Sequence, residues 1–297
     1  MLVVVLTCFA AGAGLRRGAP RAVELLPRLD RFVLWVALPA LILARLPGTE
    51  LGATVVVPVT VAWSSLAGAA VVVLLLARRF GWDRSTTGAL LLVTTLGNTS
   101  FLGLAAVEGL MGRDHLAAAL AYDQLGTFLA LATYGSLIAS RFGSAQTGWR
   151  PVGRRLATFP PFVALLVTLP LRAWPLPDGL SDGLGAVGRL VAPVAMLTIG
   201  LRFHLQMAER VRRPAMWCLG TKMVVVPVVA LAIALLAGTT GEVPWRASVL
   251  EAGMPPMVTA GVVATQAGLD EELSTFVVGV GLLLSALTLP LLRLALG

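Results

Sequence analysis

Apolar stretches long enough to cross a bilayer recur from one end of this chain to the other, and such stretches have few places to go. About 20 consecutive apolar residues make one helix across a hydrocarbon core. Inside that core only helices and closed barrels keep every backbone polar group bonded. The stretches fall at 2–15, 29–46, 54–77, 86–111, 115–140, 156–172, 184–205, 214–237, 244–267 and 272–296. They predict an all-α integral membrane protein of about ten transmembrane helices, with the lipid bilayer as solvent. Of the 297 residues 57% are hydrophobic and 13% charged, too few charges to cover a soluble domain of this size. The loops leave no room for a water-soluble catalytic module.

The net charge is +8, and every basic residue except Lys222 is Arg. A basic balance can signal nucleic-acid binding, but here the arginines sit between apolar spans, so no nucleic-acid partner is expected. They mark topology instead. The odd-numbered loops hold Arg16, Arg17, Arg21, Arg28, Arg31, Arg78, Arg79, Arg84, Arg141, Arg150, Arg154, Arg155, Arg202, Arg210, Arg212 and Arg213, against Arg45, Arg113, Arg172, Arg246 and Arg293 on the other side. Positive loops stay cytoplasmic during insertion, so both termini are expected outside the cytoplasmic membrane. Residues 1–14 lack the leading positive charge of a signal peptide and read as a first helix that is retained. Cys8 and Cys218 each lie in an apolar stretch and read as small hydrophobes. No disulfide framework, metal site or cofactor is expected. No nucleophile–base pair or paired acidic motif occurs at matching depth, so an enzyme is not expected either.

The order of features repeats. Val55-Val56-Val57-Pro58 in the third span matches Val224-Val225-Val226-Pro227 in the eighth, and Leu38-Pro39-Ala40 in the second matches Ala192-Pro193-Val194 in the seventh. Gly112-Arg113-Asp114 matches Gly268-Leu269-Asp270. These point to a first five-helix repeat at 1–140, a cytoplasmic linker at 141–155 and a second repeat at 156–297. An odd number of spans per unit inserts the second copy upside down, an arrangement that builds many secondary transporters. Pro39, Pro58, Pro193 and Pro227 are expected to kink their helices.

Two spans are interrupted. The fourth contains Gly97-Asn98-Thr99-Ser100-Phe101-Leu102-Gly103, and the ninth contains Gly253-Met254-Pro255-Pro256. Proline removes a backbone donor and crowds the preceding turn. Two broken helices crossing at the midplane would aim half-helix N-termini at one spot, a geometry that favours an anion. The plainer alternative is a pair of kinked helices without a site. Ionisable groups at depth are costly. Lys222 reads as a counter-charge for a carboxylate, or as a side chain that snorkels or pairs with an acid. Glu251 or Asp123 reads as the carrier of a coupling proton, or as part of a structural pair or a wet crevice. His115 and His204 sit at span ends and read as interfacial.

With these residues in view, the chain resembles the auxin efflux carrier family of permeases. The resemblance is carried by residues 97–104, by Ala192-Pro193-Val194-Ala195-Met196-Leu197-Thr198-Ile199-Gly200 and by Ala252-Gly253-Met254-Pro255-Pro256. It implies ten helices in two inverted repeats with crossing fourth and ninth helices, as in bile acid symporters and sodium/proton antiporters. It also implies transport of a small organic anion such as auxin, malate or malonate by alternating access. By that analogy Asn98 and the Pro255-Pro256 break line the substrate site, and the reading of the interrupted spans and buried charges adds Thr99, Ser100, Met254 and Lys222. H+ coupling, Na+ coupling and potential-driven uniport stand as alternatives, with a homodimer as one arrangement of the whole. A cation antiporter or symporter on a related fold is the alternative. Where the family often has Gly-Leu-Pro, this chain has Gly103-Leu104-Ala105, so the fourth helix is expected to break less sharply.

Overall fold

The computed structural model describes residues 2–45, 55–143, 158, 160–171, 176–202 and 208–297. His204 and nearly all of the expected linker lie outside them. The described residues form helices α1 (Leu2–Gly18), α2 (20–45), α3 (Val56–Phe80), α4 (Arg84–Val93), α5 (Leu104–Met111), α6 (Leu116–Phe142), α7 (Pro160–Leu171), α8 (Asp178–Leu201), α9 (Glu209–Leu236), α10 (Val243–Ala252), α11 (Val258–Gln266) and α12 (Glu271–Ala295). Five of these, α3, α6, α8, α9 and α12, are each long and apolar enough to cross a membrane. The 17 residues of α1 fall just short of the usual length. The expected fourth and ninth spans are each split in two.

The helix ends follow from local chemistry. Gly81 closes α3 in the left-handed conformation at φ 65°, and two residues on Asp83 caps α4, accepting from Thr86 N at 2.7 Å. Gly268 at φ 70° and Asp270, which accepts from Leu273 N at 3.1 Å, repeat this device between α11 and α12. Glycine tolerates that backbone, and aspartate satisfies an orphan N–H of the next helix.

The prolines act differently from simple kinks. Pro39 and Pro227 each follow a π-helical turn, Val33–Ala37 and Thr221–Val225, in which Leu38 N bonds Val33 O and Val226 N bonds Thr221 O. Proline offers no N–H to the carbonyl four residues back, and the wider turn rearranges the ladder just ahead of it. Pro58 instead sits in the first turn of α3, and Pro193 in the first turn of the helix that restarts after Arg189 and Leu190. At those positions the missing N–H has no helical partner to lose, so both residues begin helices rather than bend them.

The connections group by face. Arg16 donates to Leu201 O at 3.2 Å, Gln266 to Asp30 at 3.2 Å, Arg84 to Arg141 O, and Thr86 to Asp270 at 3.1 Å. Arg210 pairs with Asp270 at 2.7 Å and Glu272 at 3.0 Å. One face therefore gathers the ends of α1, α6, α8 and α11 and the starts of α4, α9 and α12. On the other face Arg293 donates to Leu110 O at 2.9 Å and Arg246 to Gly297 O. Leu90, Leu96, Met196, Ile199, Leu250, Met254 and Met257 fill the interior. Trp35, Leu236 and Leu294 stand exposed on the flanks, as they can where the surroundings are hydrocarbon.

The tightest helix contact joins α1 to the second half of α8. A methyl group on Gly200 would stand 2.2 Å from Phe9 O, and one on Gly12 would stand 2.4 Å from Leu197 O. Small residues let backbones approach this closely, as at many membrane helix interfaces. Gly200→Leu should therefore separate the pair, at an overpacking cost of about 1–3 kcal/mol. The check is the thermal midpoint of the detergent-purified protein, which should fall for Gly200→Leu and stay unchanged for Gly14→Leu, a position with open space around it.

Candidate functional site: a crossing of two broken helices

α4 stops at Val93 and α10 at Ala252, and after a turn at Thr94–Thr95 and at Gly253 each segment opens out of the helix. The two segments pair antiparallel at Gly97 and Pro256. Asn98 N donates to Pro255 O at 2.8 Å, and Met257 N donates to Leu96 O at 2.9 Å. Pro255 and Pro256 have no N–H to give, so only their carbonyls and the Met257 N–H are left to bond. Past the pairing the first segment resumes as a π-helical turn, Thr99–Gly103, and leads into α5; the second resumes directly as α11. The first break is thus complete without a proline at position 105. The partner segment supplies the bonds that hold it open.

Side chains gathered at the crossing are unusually polar for their depth. Asn98, Thr99, Ser100, Asp123, Lys222, Glu251 and Thr259 are all at most 2% exposed. Asp123 Oδ1 accepts from Thr99 Oγ1 at 2.7 Å and from Ser100 Oγ at 2.5 Å, and Asp123 Oδ2 accepts from Gln124 Nε2 at 2.6 Å. The carboxylate of α6 is thereby fastened to the first turn after the break. Lys222 reaches in from the π-helical turn of α9 and donates to Ala252 O at 3.2 Å, at the end of α10. Its ammonium passes over Gly97, where a β-carbon would stand 3.1 Å from Nζ. It is buried rather than snorkelling, and among the described residues no carboxylate lies in ion-pair contact with it.

Glu251 closes the site from α10. Its carboxylate lies against Gly103, where a β-carbon would stand 2.2 Å from Oε2. Neither Glu251 oxygen has a hydrogen-bond partner among the described residues, and the same holds for Asn98 Oδ1, Gln124 Oε1 and Thr259 Oγ1. Buried polar atoms are normally satisfied, so this set of acceptors calls for a ligand, water or proton. α3 and α9, with Trp245 of α10, line an open and mostly apolar cleft of about 360 Å³, whose walls include Val61, Val72, Val229 and Ile233 beside Ser64 and Thr221. That volume lies in the range of small-molecule sites.

The structure thus brings together Asn98, Thr99, Ser100, Met254, Pro255, Pro256, Lys222, Glu251 and Asp123. His115 stands apart, in the turn Arg113–His115, where burial and then Arg246 lower its pKa below the usual histidine value. Sequence reading passed over Gln124 and Thr259 as site residues, and missed Asp30. Asp30 is fully buried and joins α2 to the end of α11 through Gln266. An acid wedged between Arg28 and Arg31 was the available signal.

The family model of a membrane transport protein matches residues 24–293. The chain belongs to the auxin efflux carrier-like membrane transport family. An uncharacterized transporter of Methanothermobacter thermautotrophicus is 30% identical over 268 residues, 89% of this chain and 86% of that protein. An uncharacterized transporter of Methanocaldococcus jannaschii is 30% identical over 119 residues, 38% of each chain. As a member of this transport family with several membrane-length apolar helices, the chain is a multi-pass membrane protein.

The contact between Gly103 and Glu251 is open to test. Gly103→Ala should push the carboxylate aside and lower the thermal midpoint, at about 1–3 kcal/mol for overpacking. Gly109→Ala, further along the same helix with nothing within 4 Å of the added carbon, should leave the midpoint unchanged or raise it slightly.

Proposed function

We propose that this transporter is a permease for a small organic anion, most simply a carboxylate, working by alternating access. The observation that carries the reading is the crossing itself. Two interrupted helices meet, restarting at Thr99 and Val258, and a buried lysine lies over Gly97 with no carboxylate paired to it among the described residues. Helix N-termini and an ammonium favour negative charge. In this reading Asn98, Thr99, Ser100 and the break at Met254-Pro255-Pro256 surround the carboxylate, and Lys222 supplies its counter-charge.

The same reading takes residues 1–140 and 156–297 as inverted five-helix repeats joined by a cytoplasmic linker at 141–155. The common chemistry of the Gly81 to Asp83 and Gly268 to Asp270 turns is consistent with a shared plan. It places the arginine-rich face in the cytoplasm and both termini outside the cell membrane. α1, α2, α7 and α8 form one bundle and the remaining helices the other, and rocking between the bundles exposes the crossing to each side in turn. A second reading, a cation antiporter or symporter, is favoured by the two buried carboxylates, Asp123 and Glu251.

Uptake into proteoliposomes separates the two. With labelled malate, malonate and indole-3-acetate, saturable uptake of one anion is expected. Asn98→Ala should weaken it by about 5- to 100-fold, the equivalent of about 1–3 kcal/mol for a buried polar contact. Sodium or proton flux without uptake of any anion, lost in Glu251→Gln, would establish the cation reading instead.

A further inference from the structure

We propose that Glu251 is the proton carrier of this transporter, so that each anion crosses together with a proton held on the Glu251 carboxyl. The inference rests on the anion-permease reading and adds its coupling ion.

It follows from counting charges where they are buried. Asp123 is held by the Thr99 and Ser100 hydroxyls and the Gln124 amide, contacts that suit an ionised carboxylate. Lys222 contributes one positive charge. Glu251 is fully buried, and neither oxygen has a hydrogen-bond partner among the described residues. The titratable groups whose charges reach Glu251 are Asp123 and Tyr122 from α6 and Lys222 from α9. With Glu251 ionised, the crossing holds two negative charges against one positive. An arriving carboxylate would raise the excess to two, in a site stripped of water, where unpaired charge is expensive. With the carboxylate accompanied by a proton on Glu251, the loaded site carries the same net charge as the empty, ionised one. The state that is excluded is the anion without the proton. Anion affinity and proton affinity are therefore linked, each raising the other.

The packing selects a proton over a metal cation. Glu251 Oε2 lies so close to Gly103 that a single added carbon would stand 2.2 Å away. A proton needs no cavity. A sodium ion needs a shell of oxygens around a common centre, and this side of the carboxyl is filled by backbone. Gly103 thus keeps the carboxyl in its dry seat.

Two measurements test this. Infrared difference spectra of the purified protein, taken as the pH is lowered from alkaline to acid, should show the carbonyl stretch of a carboxylic acid appear, a change absent in Glu251→Gln and retained in Asp123→Asn. A spectrum that is the same in wild type and Glu251→Gln overturns the proposal whatever the substrate is. The second measurement is sodium-free uptake of labelled malonate, malate and indole-3-acetate, with the potential clamped by potassium and valinomycin and protein-free vesicles subtracted. An acid exterior should drive accumulation of the transported anion about tenfold per pH unit for one proton per anion. In Glu251→Gln the ratio of uptake with and without the gradient should fall to about one. Saturable uptake by the wild type that ignores the pH gradient, or that requires sodium, overturns the proposal. Absence of uptake of all three anions, with the infrared band present and lost in Glu251→Gln, would count against the anion reading alone.

Discussion

A backbone amide released from a helix inside a membrane must find a partner in the protein, because the lipid has none to give. This chain releases such groups twice, at 94–98 and at 253–257, and each break satisfies the other. Leu96 O, Asn98 N, Pro255 O and Met257 N exchange their bonds across the crossing. Neither half can form its interruption alone. The surrounding glycines follow from the same demand. Gly281 of α12 passes Pro256 at a distance where a β-carbon would be 2.7 Å from Cδ, and Gly97 leaves the space that Lys222 Nζ occupies.

The polar side chains form a second layer on this frame. Asp123 ties α6 to the first turn after one break, and Lys222 ties α9 to the last turn before the other. These contacts hold the crossing from two sides while leaving the Glu251 oxygens and Asn98 Oδ1 without a partner among the described residues. The functional reading depends on that asymmetry. An ionic cluster serving stability alone would pair its lysine with a carboxylate, whereas here the one buried lysine bonds a backbone carbonyl.

Composition and spacing made the helical membrane architecture and the two interruptions readable in advance. Glycine, asparagine and paired prolines within apolar spans act locally, and local chemistry shows in sequence. What stayed hidden depends on which residue meets which. Asp30 and Gln266 are 236 positions apart, and nothing in either neighbourhood announces the other. Glu251 stood out as an acid at depth, but its seat on Gly103 needs the fold. The prolines show both sides. Their presence predicted disturbed helices, yet Pro39 and Pro227 follow π-helical turns while Pro58 and Pro193 open helices, a difference set by where each helix begins.

The contact of Gly12 with Gly200 has a mechanical meaning as well as a packing one. Two helices that touch backbone to backbone cannot slide or roll past each other by exchanging rotamers, because no side chains lie between them to adjust. α1 and the second half of α8 are therefore a single strut. Bending along α8 concentrates where the strut ends, at the turn formed by Arg189 and Leu190, which divides the helix into an arm braced on α1 and an arm seated on α2, where a β-carbon on Gly188 would stand 2.8 Å from Leu41 Cα.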